Sequence, residues 1–482
     1  MKIKRKLILF GAGKNGKLAL QKYGKDRVAY FCDNSAEKQG MHIEGIEIVS
    51  FSRMLELYQE GYIIMITPSD NAFLIGQLEL EKIYDYLIFR NEELKFFLKH
   101  GEEEQKKYAY ENSVINSLAE QSSKIDLLMD ISEFKKLSSE ALRLNREENL
   151  CLGHSGWNKE GHFYGNMHAL MKYASIPEEE MKYFPLVSHN DGLPLYTTAF
   201  GYKSAVIFSG NYFRKKVHER APYVPVFSVG PFIHYAENFY DESRIREEKN
   251  TYGKTLLAFL PHTIENVERA YSREQFIDEI VKIYGFQFSR ILLCVYWADI
   301  NDKVCDYAQE KGMHIVTAGF RFDVKFDSRL KTILELSDAI VCADIGTFIA
   351  YALYMGKPIA RVDISDNQTI VEGLLKSTLE RQIQLTDDYN AFGKKFYQLF
   401  DEKLKSTKAQ KDWMNEVSGF DQIRDAEYIR RIFQISKDIW IQCEGNLEEY
   451  PEAVRQVYAQ YNKHADIDNM WILKTAVGAY ID

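Results

Sequence analysis

The chain has 10 prolines and 6 cysteines in 482 residues, no Cys-x-x-Cys pair, no long apolar run and no excess of positive charge. Each absence excludes something. Cys32, Cys151, Cys294, Cys305, Cys342 and Cys443 are widely scattered, which excludes a disulfide framework and a cysteine-rich zinc module; they read as buried thiols in a reducing compartment. No segment approaches the length of a membrane-spanning helix. The N-terminus runs from the basic Lys2–Lys6 straight into a strand rather than a signal-peptide apolar core, so the expectation is a cytoplasmic protein. A formal net charge of −9 argues against a nucleic-acid binder, because phosphate-backbone binding needs clustered Lys and Arg. The short basic start leaves open only a weak peripheral association with an anionic membrane.

What is present is a rich supply of core. Hydrophobic residues make up 46% of the chain and charged residues 27%, as in a globular protein without extended disorder. At about 150 residues per domain the length implies two to four units. The first is announced by the strand Leu7–Phe10, which runs into Gly11-Ala12-Gly13-Lys14-Asn15-Gly16 and then a helix carrying Leu18, Leu20 and Tyr23. Glycines at this spacing allow a tight turn, close approach of a pyrophosphate and close helix–strand packing. A second strand, Val28–Cys32, ends at Asp33, where an acidic residue meets a ribose hydroxyl. Strands Ile63–Ile66 and Tyr86–Phe89 continue the alternation. No Tyr-x-x-x-Lys pair sits where a short-chain reductase would place it, so NAD is the weaker ligand inference here; a retained fold that binds nothing is the competing one.

Between residues 100 and 149 there is no proline, and no glycine after Gly101. Leu127, Leu128, Ile131, Phe134, Leu137 and Leu142 recur at helical spacing. One or two helices are expected to link two functional blocks, their charges on a solvated face, with a coiled-coil or dimer contact as the minority reading.

A second βα series begins at Leu150–Leu152 and breaks into the loop His154–His162. Strand Phe184–Ser188 then ends in His189-Asn190-Asp191, Ser204–Phe208 ends in Ser209-Gly210, and Val224–Val229 ends in Gly230-Pro231. Ligands of open α/β sheets lie beyond the carboxyl ends of the strands, so His154, His162, His189 and Asp191 are expected around one cleft, although each histidine alone is more often structural. His154, Glu160 and His162 are strung along a loop rather than at zinc-ligand spacing, and no metal site is expected.

The third series places His262 after strand Thr255–Leu260, Arg321 after His314–Thr317, and Asp344-Ile345-Gly346-Thr347 after Ala339–Ala343. That last turn opens a helix with Phe348, Ile349, Ala352 and Leu353 on one face. The unpaired N–H groups of its first turn favour an anion, Gly346 admits close approach and the Thr347 hydroxyl adds a donor. The plainer alternative makes Thr347 an N-cap and Gly346 a turn residue. His262, Arg321 and Thr347 follow strands of one sheet and would form a wall for a diphosphate. Arg321 suits a bidentate grip on oxygens, against the alternative of a surface ion pair with Asp323. Helices are expected over Tyr389–Leu404 and Gln422–Ile441. Asp466-Ile467-Asp468 mimics a metal-binding DxD but lacks a strand-to-loop context, and reads as a cap or surface.

The wording FGAGKNG, AYFCDNSAEKQG and IEGIEIVS resembles the small Rossmann-like domain at the front of bacterial nucleotide-sugar acetyltransferases and several polysaccharide-biosynthesis proteins. The resemblance implies that Gly11, Gly13, Gly16 and Asp33 face a nucleotide or nucleotide-sugar. The two later halves, with SDAIVCADIGTFIAYALYMGKP, resemble the GT-B fold of glycosyltransferases and of non-hydrolysing UDP-sugar 2-epimerases. That resemblance implies a donor diphosphate at Gly346 and Thr347 and a terminal helix packed back across both halves. The Glu that many retaining members carry in this turn is missing, and so is the glycine-rich loop of 2-epimerases. Retention, inversion and epimerisation therefore stay open.

The combined expectation is an α/β chain: an N-terminal Rossmann-like domain (1–95), a helical connector (96–148), and a GT-B-like pair of Rossmann-like domains (149–250 and 251–440) with a helical C-terminus (441–482). Its expected activity is a sugar-nucleotide-dependent glycosyl transfer in bacterial capsule or surface-polysaccharide assembly. The donor would lie between the halves at Gly346, Thr347, Arg321 and His262, and no other cofactor would be required. A glycan or lipid-linked acceptor would enter over the loops of His154 and His189, with His154 or Asp191 as general base. A sugar-nucleotide epimerase and a non-catalytic nucleotide-sugar-binding scaffold are the alternatives, and a homo-oligomer is left open.

Overall fold

Leu7–Phe10 (β1) is buried at all four positions, as a strand covered on both faces must be. In the computed structural model, Leu7 and Leu9 pack on one face with Ala19 and Leu20 of α1 (Lys14–Tyr23). Ile8 and Phe10 pack on the other with Met54 and Leu57 of α2 (Phe51–Gln59). The structure describes residues 6–68, 72–81, 83, 86–89, 101–128, 131–147, 160–188, 205–212, 225–260, 268–269, 272–364, 369–370 and 391–443. Around β1 lie β2 (Val28–Cys32), β3 (His42–Ile43), β4 (Ile46–Val49), β5 (Ile63–Ile66) and β6 (Leu87–Ile88), in the order β3-β4-β2-β1-β5-β6. All neighbours pair in parallel except the β3–β4 hairpin. The order reverses between β1 and β5, so the crevice of this first unit opens beyond Phe10 and Ile66.

The third unit repeats the pattern. Strands β10 (Thr255–Phe259), β12 (Arg290–Cys294), β13 (His314–Val316), β14 (Ala339–Cys342) and β15 (Ile359–Arg361) form a fully parallel sheet in the order β13-β12-β10-β14-β15. Strand β11 (Glu268–Arg269) pairs separately with β16 (Thr369–Ile370). The reversal here lies between β10 and β14. The second unit contributes three parallel strands, β7 (Leu186–Val187), β8 (Val206–Phe208) and β9 (Val226–Ser228). The architecture is α/β with parallel sheets, as the sequence led one to expect. The expected strand Leu150–Leu152 and the Asp466–Asp468 segment lie outside the described residues. No helix among those described is long and apolar enough to cross a membrane.

The connector is helical, but it is not a free-standing spacer. Its helices α4 (Gly101–Lys124) and α5 (Ser132–Glu147) keep their charges outward in pairs such as Arg143–Glu140, while Ile115, Leu118, Leu137 and Ala141 pack against Trp297, Phe320 and Phe322 of the third unit. Arg329, fully buried, closes the joint. Its Nη2 donates to the carbonyls of Ser122 and Ile125 at the end of α4, the first of which also accepts from the Ile125 N–H, and its Nε lies 3.3 Å from Asp323 Oδ2. Asp323 in turn accepts from Ser122 Oγ at 2.6 Å.

The C-terminal segment crosses back, as the GT-B resemblance implied. After α12 (Lys408–Ser418), which opens with a Thr407/Gln410 capping box, Gly419 turns the chain at positive φ. The turn lies against the ends of β8 and β9 so closely that a Cβ on Gly210 would sit 2.0 Å from Val417 O. Helix α13 (Ala426–Cys443) then runs along the second unit. Phe433 stacks on Phe184, Ser436 Oγ donates to Tyr183 O, and Lys437 pairs with Glu180. The expected helix over Tyr389–Leu404 is shorter: residues 391–399 are helical and the chain then turns, with Tyr284 OH bonding the Glu402 carbonyl.

Candidate functional site

The two reversal points hold the two glycine turns that the sequence singled out. In the first unit Gly11 adopts φ +115, and a Cβ there would lie 2.6 Å from Pro68 Cδ and 2.7 Å from Thr67 Oγ1. A Cβ on Gly16 would fall 2.2 Å from the Gly11 carbonyl oxygen. These two glycines are demanded by the packing of turn, helix and β5. Gly13 has nothing within 4 Å and faces open space at the start of α1. Asp33 stands beside the turn, with its oxygens already engaged: Oδ2 accepts from Ala12 N and Lys38 Nζ, and Oδ1 from Ser35 N. Burial pushes this carboxyl up, but those donors outweigh it and leave its pKa below the ordinary value.

In the third unit Gly346 is the N-cap of α11 (Thr347–Tyr354) and no side chain caps the helix. Thr347 is the first helical residue, so the N-cap alternative for it is corrected. The turn Asp344–Gly346 keeps Asp344 Oδ1 on the Ile345 N–H at 2.7 Å. A Cβ on Gly346 would meet the Phe348 ring at 2.2 Å; the room that glycine leaves is taken by this ring, which stacks flat on Phe259 at the end of β10, 3.9 Å between centroids. Lys357 of the Gly-Lys-Pro run sits at the amino end of β15, away from the crevice, and its Nζ donates to Ser337 O at 2.7 Å, just past α10 (Phe326–Leu336).

Arg321 is not the exposed partner of Asp323. It is 4% exposed, and Asp323 pairs with Arg329 instead. Arg321 follows β13, the sheet edge, which stands three strand spacings, about 14 Å, from β14, the strand that precedes Thr347. Its guanidinium lies 4.5 Å above the Phe163 ring, and Nη2 reaches Tyr164 OH at 3.4 Å. Phe163 and Tyr164 belong to the second unit, in the short 3-10 segment Glu160–Gly165. Tyr164 has positive φ (62°), uncommon for a bulky residue, and its N–H donates to Arg321 O at 2.8 Å. Nothing in the sequence marks Phe163, Tyr164 or Phe259 as part of a site, and Phe348 stands out there only as part of the apolar face of its helix; a Tyr-Gly pair directly after a polar stretch was the available signal for the first two.

His154, His189, Asp191 and His262 lie outside the described residues. Their surroundings are partly visible. Asn166, 2% exposed, donates from Nδ2 to Ser188 O at 3.2 Å, at the strand end that precedes His189. The ends of β8 and β9 are covered by the 417–423 turn, so Gly210 and Gly230 receive chain and not ligand. The buried thiols offer no nucleophile: burial pushes those of Cys294 and Cys305 up to about 12.

No family model matches the chain, and no curated protein does. Among solved structures, the wall teichoic acid polymerase TagF is similar at 10% identity over 90% of this chain and 89% of its own, with a TM-score of 0.26. The UDP-GlcNAc 2-epimerase from Neisseria meningitidis follows at 12% identity over 89% and 99%, TM-score 0.24, and TcCGT1 at 10% over 96% and 100%, TM-score 0.23. Likeness this distant carries no function from those proteins to this one.

Proposed function

We propose that the chain is a nucleotide-sugar-dependent glycosyltransferase of GT-B architecture, serving the assembly of a bacterial surface polysaccharide. The observation that carries this reading is the uncapped N-terminus of α11 at the β10/β14 reversal point. The first N–H groups of this helix and the Thr347 hydroxyl suit a donor diphosphate, and His262 follows β10 in the sequence. Phe348 must turn away from Gly346 before a ligand can approach that backbone. The acceptor enters from the second unit, over the loops of His154 and His189, with His154 or Asp191 taking the proton from its hydroxyl.

Calorimetry of UDP-glucose, UDP-N-acetylglucosamine and CDP-glycerol on the full chain and on Thr347→Ala tests the donor site. A binding partner from this panel that weakens roughly tenfold in the variant is the expected result, the loss of one charge-assisted hydrogen bond. Undiminished binding in Thr347→Ala removes the donor from this turn. Conversion of a sugar nucleotide without any acceptor would make the enzyme an epimerase.

A further inference from the structure

Arg321 is a buried cation without a counter-charge. Arg290, Arg329 and Arg361, the other arginines buried to this degree among the described residues, each face a carboxylate: Glu248, Asp323 and Asp363. No carboxylate lies within ion-pair distance of Arg321 among the described residues, and its buried Nε has no hydrogen-bond partner. What surrounds it is aromatic, with Phe163 and Tyr164 from one side and Tyr296 from the end of β12. Burial raises the Tyr296 pKa, so that hydroxyl stays neutral and supplies a dipole rather than a charge. The partners of Arg321 are rings and neutral hydroxyls, Tyr164 and Tyr296, which keep the guanidinium charged but bring no full negative charge, and a ligand can supply one. The backbone around it is also held in an uncommon state, Tyr164 at φ 62 and Gly165 at φ 76, the latter so close to Val324 O that a Cβ would lie 2.7 Å away.

We infer that Arg321, with Phe163 and Tyr164, forms an oxyanion site for a carboxylate or phosphate group on the acceptor. This deepens the reading of the chain as a transferase. The site is assigned to the acceptor because the strand before Arg321, β13, stands three strand spacings from β14, which leads into the α11 turn, and because half of the site comes from Phe163 and Tyr164 of the second unit. The guanidinium offers a planar pair of donors to two oxygens, and the rings shield that contact from water. The acceptor is thus acidic: a uronic acid unit or a phosphate-bearing one.

Thermal shift and calorimetry on the full chain, with inorganic phosphate and with glucuronate at matched ionic strength in chloride, test the inference. The expected result is that one probe raises the melting temperature, identifying phosphate or carboxylate as the group. Arg321→Met should abolish the shift while leaving the ligand-free protein no less stable, because an unpaired charge has been removed. Arg321→Lys, which keeps the charge and loses the fork, should weaken the probe roughly tenfold and covers the case that the methionine variant does not fold. Neither probe binding the unaltered chain, or undiminished binding in Arg321→Lys, overturns the site. Probe binding that is lost in the variants of a chain that takes no nucleotide-sugar would leave the anion site standing and remove the donor reading alone.

Discussion

The first and third units set their central strands in the same order and place a glycine turn at the same point, yet they use that turn differently. In the first, Gly11 and Gly16 are filled by their own chain, Asp33 holds the Ala12 N–H, and only Gly13 is free. In the third, Gly346 is the N-cap, as Gly13 is in the first, and the space of its missing Cβ is taken by the Phe348 ring. A glycine pattern therefore reports a helix start without a side-chain cap in both, with turn backbone packed around it in the first and a single aromatic ring in the third. The third unit is also braced by the connector through Arg329, Asp323 and Ser122, a joint without counterpart in the first among the described residues.

That bracing gives the largest expected effect. Arg329→Met leaves the buried Asp323 carboxylate without its cation and takes a donor from the Ser122 and Ile125 carbonyls, and should cost about 3–5 kcal/mol in urea unfolding. A loss below about 1 kcal/mol would mean that the connector is not anchored there and that the two units are equally unbraced. Next comes the packing of the first turn. Gly16→Ala puts a methyl 2.2 Å from a backbone oxygen and should cost about 1–3 kcal/mol, whereas Gly13→Ala, with nothing within 4 Å, loses only the modest N-cap advantage of glycine, about 0.5–1 kcal/mol. Equal effects of the two would erase the distinction between filled and free glycines.

The elements themselves were legible. Apolar runs such as Leu7–Phe10 and Ala339–Cys342 are buried on both faces, and such strands carry their length in sequence. Helix Phe326–Leu336 begins and ends where its pattern does. Strand order was not legible: that β13 stands at the sheet edge depends on pairing between distant segments, and it is this order that parts Arg321 from Thr347. The partners of Arg321 were hidden for the same reason. Asp323, two residues away, was the natural suggestion, but Arg329 takes it, and the rings that cover Arg321 come from more than 150 residues upstream. The role of Gly346 was only half visible, since the ring that fills its missing Cβ lies two residues on in the same helix.

Asp33 offers a smaller, pH-dependent contrast. Its folded pKa is lowered, so its contribution is present in full above the unfolded value of about 3.9 and is lost as the pH falls through the folded value. Asp33→Asn should therefore destabilise by about 1 kcal/mol at pH 7, and the gap to the unaltered chain should close as the pH falls through the lowered folded pKa. A gap that persists unchanged in acid would show that the carboxylate charge does not secure the turn. Loss of nucleotide binding without loss of stability would return Asp33 to a ligand role and make the two crevices alike.

The smallest expected change in stability is at Thr347. Thr347 sits at the first position of α11, and no described residue makes a hydrogen bond to its hydroxyl, so Thr347→Ala should move the unfolding midpoint by no more than about 0.5 kcal/mol. A group kept at a helix start without a structural task is available to a ligand, so the same variant should show its effect in donor affinity alone. Were unfolding to fall by 1 kcal/mol or more with affinity unchanged, the hydroxyl would have a structural task and the turn of the third unit would lose its claim on a ligand.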